Sequence, residues 1–212
     1  TLFFGGCKNE VVPQINDFST KVDPLFNDWA SNQPGGAVAV LHKGNLVYER
    51  YFGLANLESK KCFEKNTLTD IGSISKQFTA CLIALLEEDN KLSIEDDIRK
   101  YIPELPDYFD TVKIKNLILH TSGIRDYEAL EMLKGNHYFG DHMTNPYVVD
   151  LMARQKSLNF KPNTSYEYSN SNYILLAEIV ERVSRKTLNE FAKDKIFGPL
   201  KMTSTFFHRN QG

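Results

Sequence analysis

A chain of 212 residues is long enough for one large domain or two small ones. Its 42% hydrophobic and 25% charged residues are those of a globular protein, and a net charge of −2 leaves no basic footprint for nucleic acid. No stretch has the length of an apolar membrane-spanning helix, and neither a Cys/His cluster with zinc spacing nor a Walker-type glycine loop occurs, so neither metal nor cofactor is expected.

Residues 1–12 form a tail that opens on "TLFFGGCKNE", the end of an apolar run followed by small residues and a cysteine. It resembles a bacterial lipoprotein cleavage site with Cys7 as the lipid-bearing residue. That resemblance implies an extracytoplasmic protein (periplasmic, or anchored to a membrane without spanning it). A disordered start with a chance cysteine is the alternative. The three cysteines, Cys7, Cys62 and Cys81, are an odd number, which argues against a disulfide framework.

From residue 13 to 212 the chain is read as one domain. Ile15, Phe18, Val22, Phe26 and Trp29 recur at helical spacing over 14–31, with Pro24 marking a break. "GGAVAVLHKGNLVYERYFG" holds two β-rich runs around His42-Lys43-Gly44-Asn45, which predicts a hairpin with Val38, Val40, Leu46 and Val47 facing a core. Residues 66–70 are expected to form a short strand that leads into a helix over 74–89. After Asn90 the chain turns polar and passes Pro103 and Pro106 as a connector. Further helices are expected at 113–119, 127–134, 145–155, 171–185 and 187–195. A two-stranded hairpin is marginal alone, so the sheet reads as incomplete.

Within the helix over 74–89, only Thr79 interrupts the apolar run from Phe78 to Leu86. A helix apolar on all sides is a buried one, with Cys81 as a small core residue. Lys76 at its mouth therefore needs an explanation. In "DIGSISKQFTA" Ser73 stands three residues before it, on the same helical face. A serine hydroxyl is a weak nucleophile until a base takes its proton, and an amine can be that base only when neutral, a state that apolar burial favours. The free N–H groups of the helix N-terminus would favour an oxyanion.

A second motif lies in "SYEYSNSNYILL", where Tyr168-Ser169-Asn170 precedes an apolar helix. Tyr168 could share protons with Ser73 and Lys76, because nearby cations lower a phenol's pKa. Asn170 could offer its amide to a substrate and to the lysine. A tyrosine-rich loop capped by asparagines is the plainer alternative for this triplet alone. His120, in "LILHTSGI", is assigned a structural role, hydrogen-bonding its turn.

Taken together, S-x-x-K at Ser73 and Lys76 and Y-x-N at Tyr168 and Asn170 resemble the serine β-lactamase and penicillin-binding protein superfamily. The likeness is greatest to its class C β-lactamase-like branch, which includes D-alanyl peptidases, D-amino-acid amidases and esterases. The stretches "GAVAVLHKGNLVYERYFGLANLE", "LILHTSGIRDY" and "FKPNTSYEYSNSNYILLAEIVE" extend it from about Phe18 to His208. The resemblance implies an α+β, β-lactamase/transpeptidase-like fold, a helical subdomain plus an antiparallel sheet. It implies a serine hydrolase that forms an acyl-enzyme on small amides or esters, whether β-lactams, D-alanyl peptides or esters. Ser73, Lys76 and Tyr168 would be catalytic and Asn170 substrate-binding.

The third motif of the superfamily, K-T-G or H-x-G on a later strand, is not found after Tyr168. In the family that region completes the sheet and carries an oxyanion N–H. Completion by a chain partner or by downstream residues is therefore expected. The competing expectation is a non-catalytic binding or sensor protein that retains the fold, or an inactive fragment of a longer hydrolase.

Overall fold

The computed structural model describes residues 19–29, 32–136 and 143–208. They fall into two compact units, divided between Asp70 and Ile71. The elements are short antiparallel sheets followed by helices, the α+β composition expected from the sequence.

In the first unit, helix α1 (Ser19–Val22) runs into a 3₁₀ turn over Asp23–Phe26 that has Pro24 near its start. The expected break at Pro24 thus becomes a change of helix type, because proline fits a helix's first turn but not its interior. Ile15, Phe18 and Cys7 lie outside the described residues. Strands β1 (Gly36–His42) and β2 (Asn45–Phe52) pair antiparallel as expected. Lys43 and Gly44 both have positive φ, 50° and 78°, the backbone that a two-residue hairpin turn requires. A register shift follows Val40, and Leu46 is exposed while Val38, Val40 and Val47 are half-buried. Leu46 therefore departs from the expected core set, and Tyr48, Tyr51 and Phe52 fill that role.

The Phe26, Trp29 and Phe52 rings cluster with centroids 5.1–6.1 Å apart. A Cβ at Gly36 would come within 2.7 Å of the Trp29 ring, so only glycine admits the tryptophan there. Asp23 accepts from the buried Tyr48 hydroxyl at 2.6 Å and pairs with Arg50 at 2.8 Å. Strands β3 (Leu54–Asn56) and β4 (Lys61–Cys62) make a second small sheet. Cys62 is disulfide-bonded, which the odd cysteine count did not foresee. The strand expected at 66–70 does not form; Thr67 closes a turn onto Glu64 instead.

The second unit is helical. Its 3₁₀ turn Gly72–Ser75 leads into α2 (Lys76–Glu88), followed by α3 (Ile114–Ile118), α4 (Tyr127–Leu133), α5 (Asn145–Ala153), α6 (Asn170–Ser184) and α7 (Leu188–Ala192), which runs on as a π-turn to Phe197. The five helices expected after residue 113 all appear, with ends displaced by a few residues. Asp126, Thr144 and Thr187 cap α4, α5 and α7 through their side chains, as short polar residues do at helix starts.

Helix α6 packs against α2, α3, α4, α5 and α7. Leu175, Leu176, Ile179 and Val180 on it and Leu82, Ile83 and Leu86 on α2 belong to one core cluster. Each such side chain contributes roughly 1.5–3 kcal/mol on burial. The proline-bearing connector is more than a linker, since Leu92, Ile98, Ile102, Leu105 and Tyr108 all enter that core.

Helix α2 itself is not enclosed on all sides. Gln77, Cys81, Ala84 and Glu88 form an exposed stripe at helical spacing. Cys81 is a free, exposed thiol rather than a core residue. An apolar run does not say which of its faces is covered, and Cys and Ala leave little apolar area in water.

Candidate active site

Gly72 adopts φ +53° at the entrance of the 3₁₀ turn, a left-handed conformation that glycine takes at little cost. Ser75 Oγ donates to the Gly72 carbonyl at 2.6 Å and fastens the turn. In a 3₁₀ helix the side chains at i and i+3 eclipse one another. Ser73 lies on that turn and Lys76 follows it as the first residue of α2, and Lys76 Nζ donates to Ser73 Oγ at 3.0 Å.

The second motif enters from the start of α6. Tyr168 Oη is 2.8 Å from Ser73 Oγ, and Lys76 Nζ donates to Asn170 Oδ1 at 2.9 Å. All four residues singled out in the sequence thus meet in one hydrogen-bonded cluster. Their mutual position is fixed by the packing of α2 against α6. The lysine amine also lies 5.1 Å from the Tyr168 ring centroid and 5.6 Å from that of Tyr173, cation–π distances that restrain it further. Ser73 is exposed, Tyr168 is 43% exposed and Lys76 is half-buried, so the hydroxyl is open to a substrate.

Sequence reasoning missed the residues that hold the second motif. Asp126 Oδ1 accepts from the Glu128 and Ala129 N–H groups at the start of α4, while Oδ2 accepts from the Asn170 N–H. In return, Ser171 Oγ accepts from the Tyr127 N–H at 2.9 Å. Two helix starts therefore cap each other, and one carboxylate serves both. The signal was in the sequence, because Asp126 stands directly before an amphipathic run as an N-cap does. That its second oxygen reaches Asn170 is not a local property.

His120 also differs from expectation. Its side chain does not tie its own turn; Nδ1 accepts from the Ser169 N–H at 3.1 Å, and the ring stacks on Tyr168 with centroids 4.6 Å apart. Burial first, and then the nearby Lys76, hold its pKa below the ordinary 6.5, with Asp126 opposing. Burial likewise raises the Tyr173 phenol, whose hydroxyl donates to the Ile118 carbonyl at 3.2 Å.

The Ser73 hydroxyl is thus held between an amine and a phenol at the head of a helix. Residues 21–212 match the Beta-lactamase family, and the chain belongs to it. It is 35% identical over 175 residues to penicillin-binding protein 4* of Bacillus subtilis, covering 82% of this chain and 38% of that protein. It is 34% identical over 169 residues to a D-aminopeptidase of Brucella anthropi, covering 80% of this chain and 32% of that protein. Among solved structures, FmtA from Staphylococcus aureus superposes with a TM-score of 0.76 at 27% identity, over 98% of this chain and 56% of that one. The chain thus spans about a third of the length of these curated relatives.

Proposed function

We propose that the chain carries the nucleophile and proton-transfer residues of a serine hydrolase that acts through an acyl-enzyme on small amides or esters. The observation that carries the proposal is that Ser73 Oγ sits 3.0 Å from Lys76 Nζ and 2.8 Å from Tyr168 Oη, although Tyr168 is 95 residues away. Such distances suit proton transfer in a single step.

In this mechanism Ser73 Oγ attacks the substrate carbonyl as its proton passes to the Lys76 amine. The bond to the leaving group breaks as Tyr168 gives that amine or alkoxide a proton. In deacylation, attacking water returns a proton to Tyr168 and Lys76 returns one to Ser73, so the site regains its starting state. Asn170 holds the lysine and presents its amide to the substrate. The similarity to a penicillin-binding protein and to a D-aminopeptidase supports a hydrolase of this family without choosing between a β-lactam, a D-alanyl peptide and an ester. The apolar N-terminal stretch supports a place outside the cytoplasm.

The test is covalent labelling of the full chain by a fluorophosphonate and by a fluorescent penicillin. Labelling of the wild type that vanishes in Ser73→Ala is expected. Labelling that survives the substitution would assign the nucleophile elsewhere and overturn the proposal.

A further inference from the structure

The buried His120 has no part in these proton transfers, yet it holds the segment carrying Tyr168 from both sides, by its backbone carbonyl and by its ring. The Glu167 N–H donates to the His120 carbonyl at 3.0 Å and the Ser169 N–H to its Nδ1 at 3.1 Å. Between these two anchors, the Tyr168 ring lies stacked on the imidazole at an interplanar angle of 30°.

The proton positions follow from the partners. A backbone N–H can only donate, so Nδ1 carries no proton. Asn172 Nδ2 lies 3.3 Å from the same nitrogen, and Asn172 Oδ1 accepts from Ser122 Oγ at 2.8 Å. That places the amide NH₂ toward the ring. Two independent donors therefore require the same neutral tautomer. Given Ser73 as the nucleophile proposed above, we propose that His120 is a positioning residue that keeps Tyr168 Oη at Ser73, and that protonation of His120 releases Tyr168 and switches acylation off on the acid side.

A proton on Nδ1 would set an N–H against the Ser169 N–H and the Asn172 amide, turning two attractions into repulsions and leaving buried donors unpaired. The charged groups acting on the ring are Lys76 of α2, which repels an imidazolium, and Asp126, which favours one. The Tyr166, Tyr168 and Tyr173 rings pack around it. Burial and Lys76 outweigh Asp126, so the neutral form extends below the ordinary value of 6.5 and the loss comes as pH falls through the lowered value.

Two variants separate the parts. His120→Asn keeps an acceptor near the Ser169 N–H, tolerates the left-handed backbone at φ +55° and cannot be protonated in this range. His120→Phe keeps a stacking ring and removes the acceptor. In the full chain, NMR should show the His120 ring titrating below 6.5 and the Tyr168 ring resonances moving with the same midpoint. In His120→Asn the Tyr168 resonances should be flat with pH, and Ser73 labelling by a fluorophosphonate should lose the part of its acid limb that follows the His120 midpoint. His120→Phe should label about 10–100-fold more slowly at neutral pH, because a buried donor is left unpaired.

Tyr168 resonances indifferent to His120 titration, or a labelling profile of His120→Asn that superimposes on the wild type, would overturn the proposal. A wild type that never labels at Ser73 would instead count against the hydrolase function, and the Tyr168 resonances would still decide the part played by His120.

Discussion

Ser73 and Lys76 meet across a 3₁₀ turn, not an α-helical one, and the eclipsed i, i+3 geometry of that turn brings Nζ to 3.0 Å from Oγ. The amine is thus placed by four residues of local backbone and then held by Asn170 from a distant part of the chain.

Lys76→Ala should slow acylation of Ser73 by about 100- to 10,000-fold, the usual worth of a positioned acid–base group. Lys43→Ala should leave the rate unchanged, because Lys43 occupies the exposed hairpin turn. Stopped-flow labelling of both variants beside the wild type measures the difference. Equal rates for Lys76→Ala and wild type would remove the lysine from the mechanism.

Tyr168→Phe keeps the ring stacked on His120 and deletes only the oxygen that lies 2.8 Å from Ser73 Oγ. Acylation should fall by about 100-fold or more while the thermal midpoint stays within a degree or two. Unchanged labelling with an intact fold would show the phenol to be a bystander.

Asp126→Ala removes a carboxylate shared by the starts of α4 and α6. Loss of an N-cap of this kind costs about 1–2 kcal/mol. Urea denaturation should show that loss, together with slower labelling, since Asn170 would no longer be fixed by its backbone. A stability equal to wild type would mean that water or another group replaces the cap.

Glu131 is a buried carboxylate bonded to Lys134, Tyr147 and Asn136, and the Lys134 bond foremost holds its pKa at about 2 instead of 4.5. A depressed carboxylate stabilises the fold above its ordinary value, and that contribution fades as pH falls from 4.5 toward about 2. Acid unfolding followed by circular dichroism should therefore show a component in that window. In Glu131→Gln this component should be absent and the neutral-pH stability lower by about 1–3 kcal/mol, the cost of disturbing a buried hydrogen-bonded group.

The features legible in the sequence were those set by near neighbours. The hairpin turn at Lys43-Gly44 follows from glycine's freedom at positive φ, and the helices after residue 113 follow from their apolar periodicity. The three-residue spacing of Ser73 and Lys76 is likewise local, so their meeting could be foreseen. The strand expected at 66–70 failed because a short run of this kind has no structure of its own without a partner edge, and none pairs with it among the described residues.

Only the tertiary structure decided which faces are covered and which distant residues meet. The apolar letters of α2 gave no hint that Cys81 and Ala84 face water while Leu82, Ile83 and Leu86 enter the core cluster shared with α6. That packing carries Tyr168 and Asn170 across more than 90 residues to Ser73 and Lys76, and it turns His120 and Asp126 toward them. Spacing along the chain sets geometry over a turn or two of helix. Beyond that range the juxtaposition depends on how side-chain surfaces interlock, which no single segment encodes.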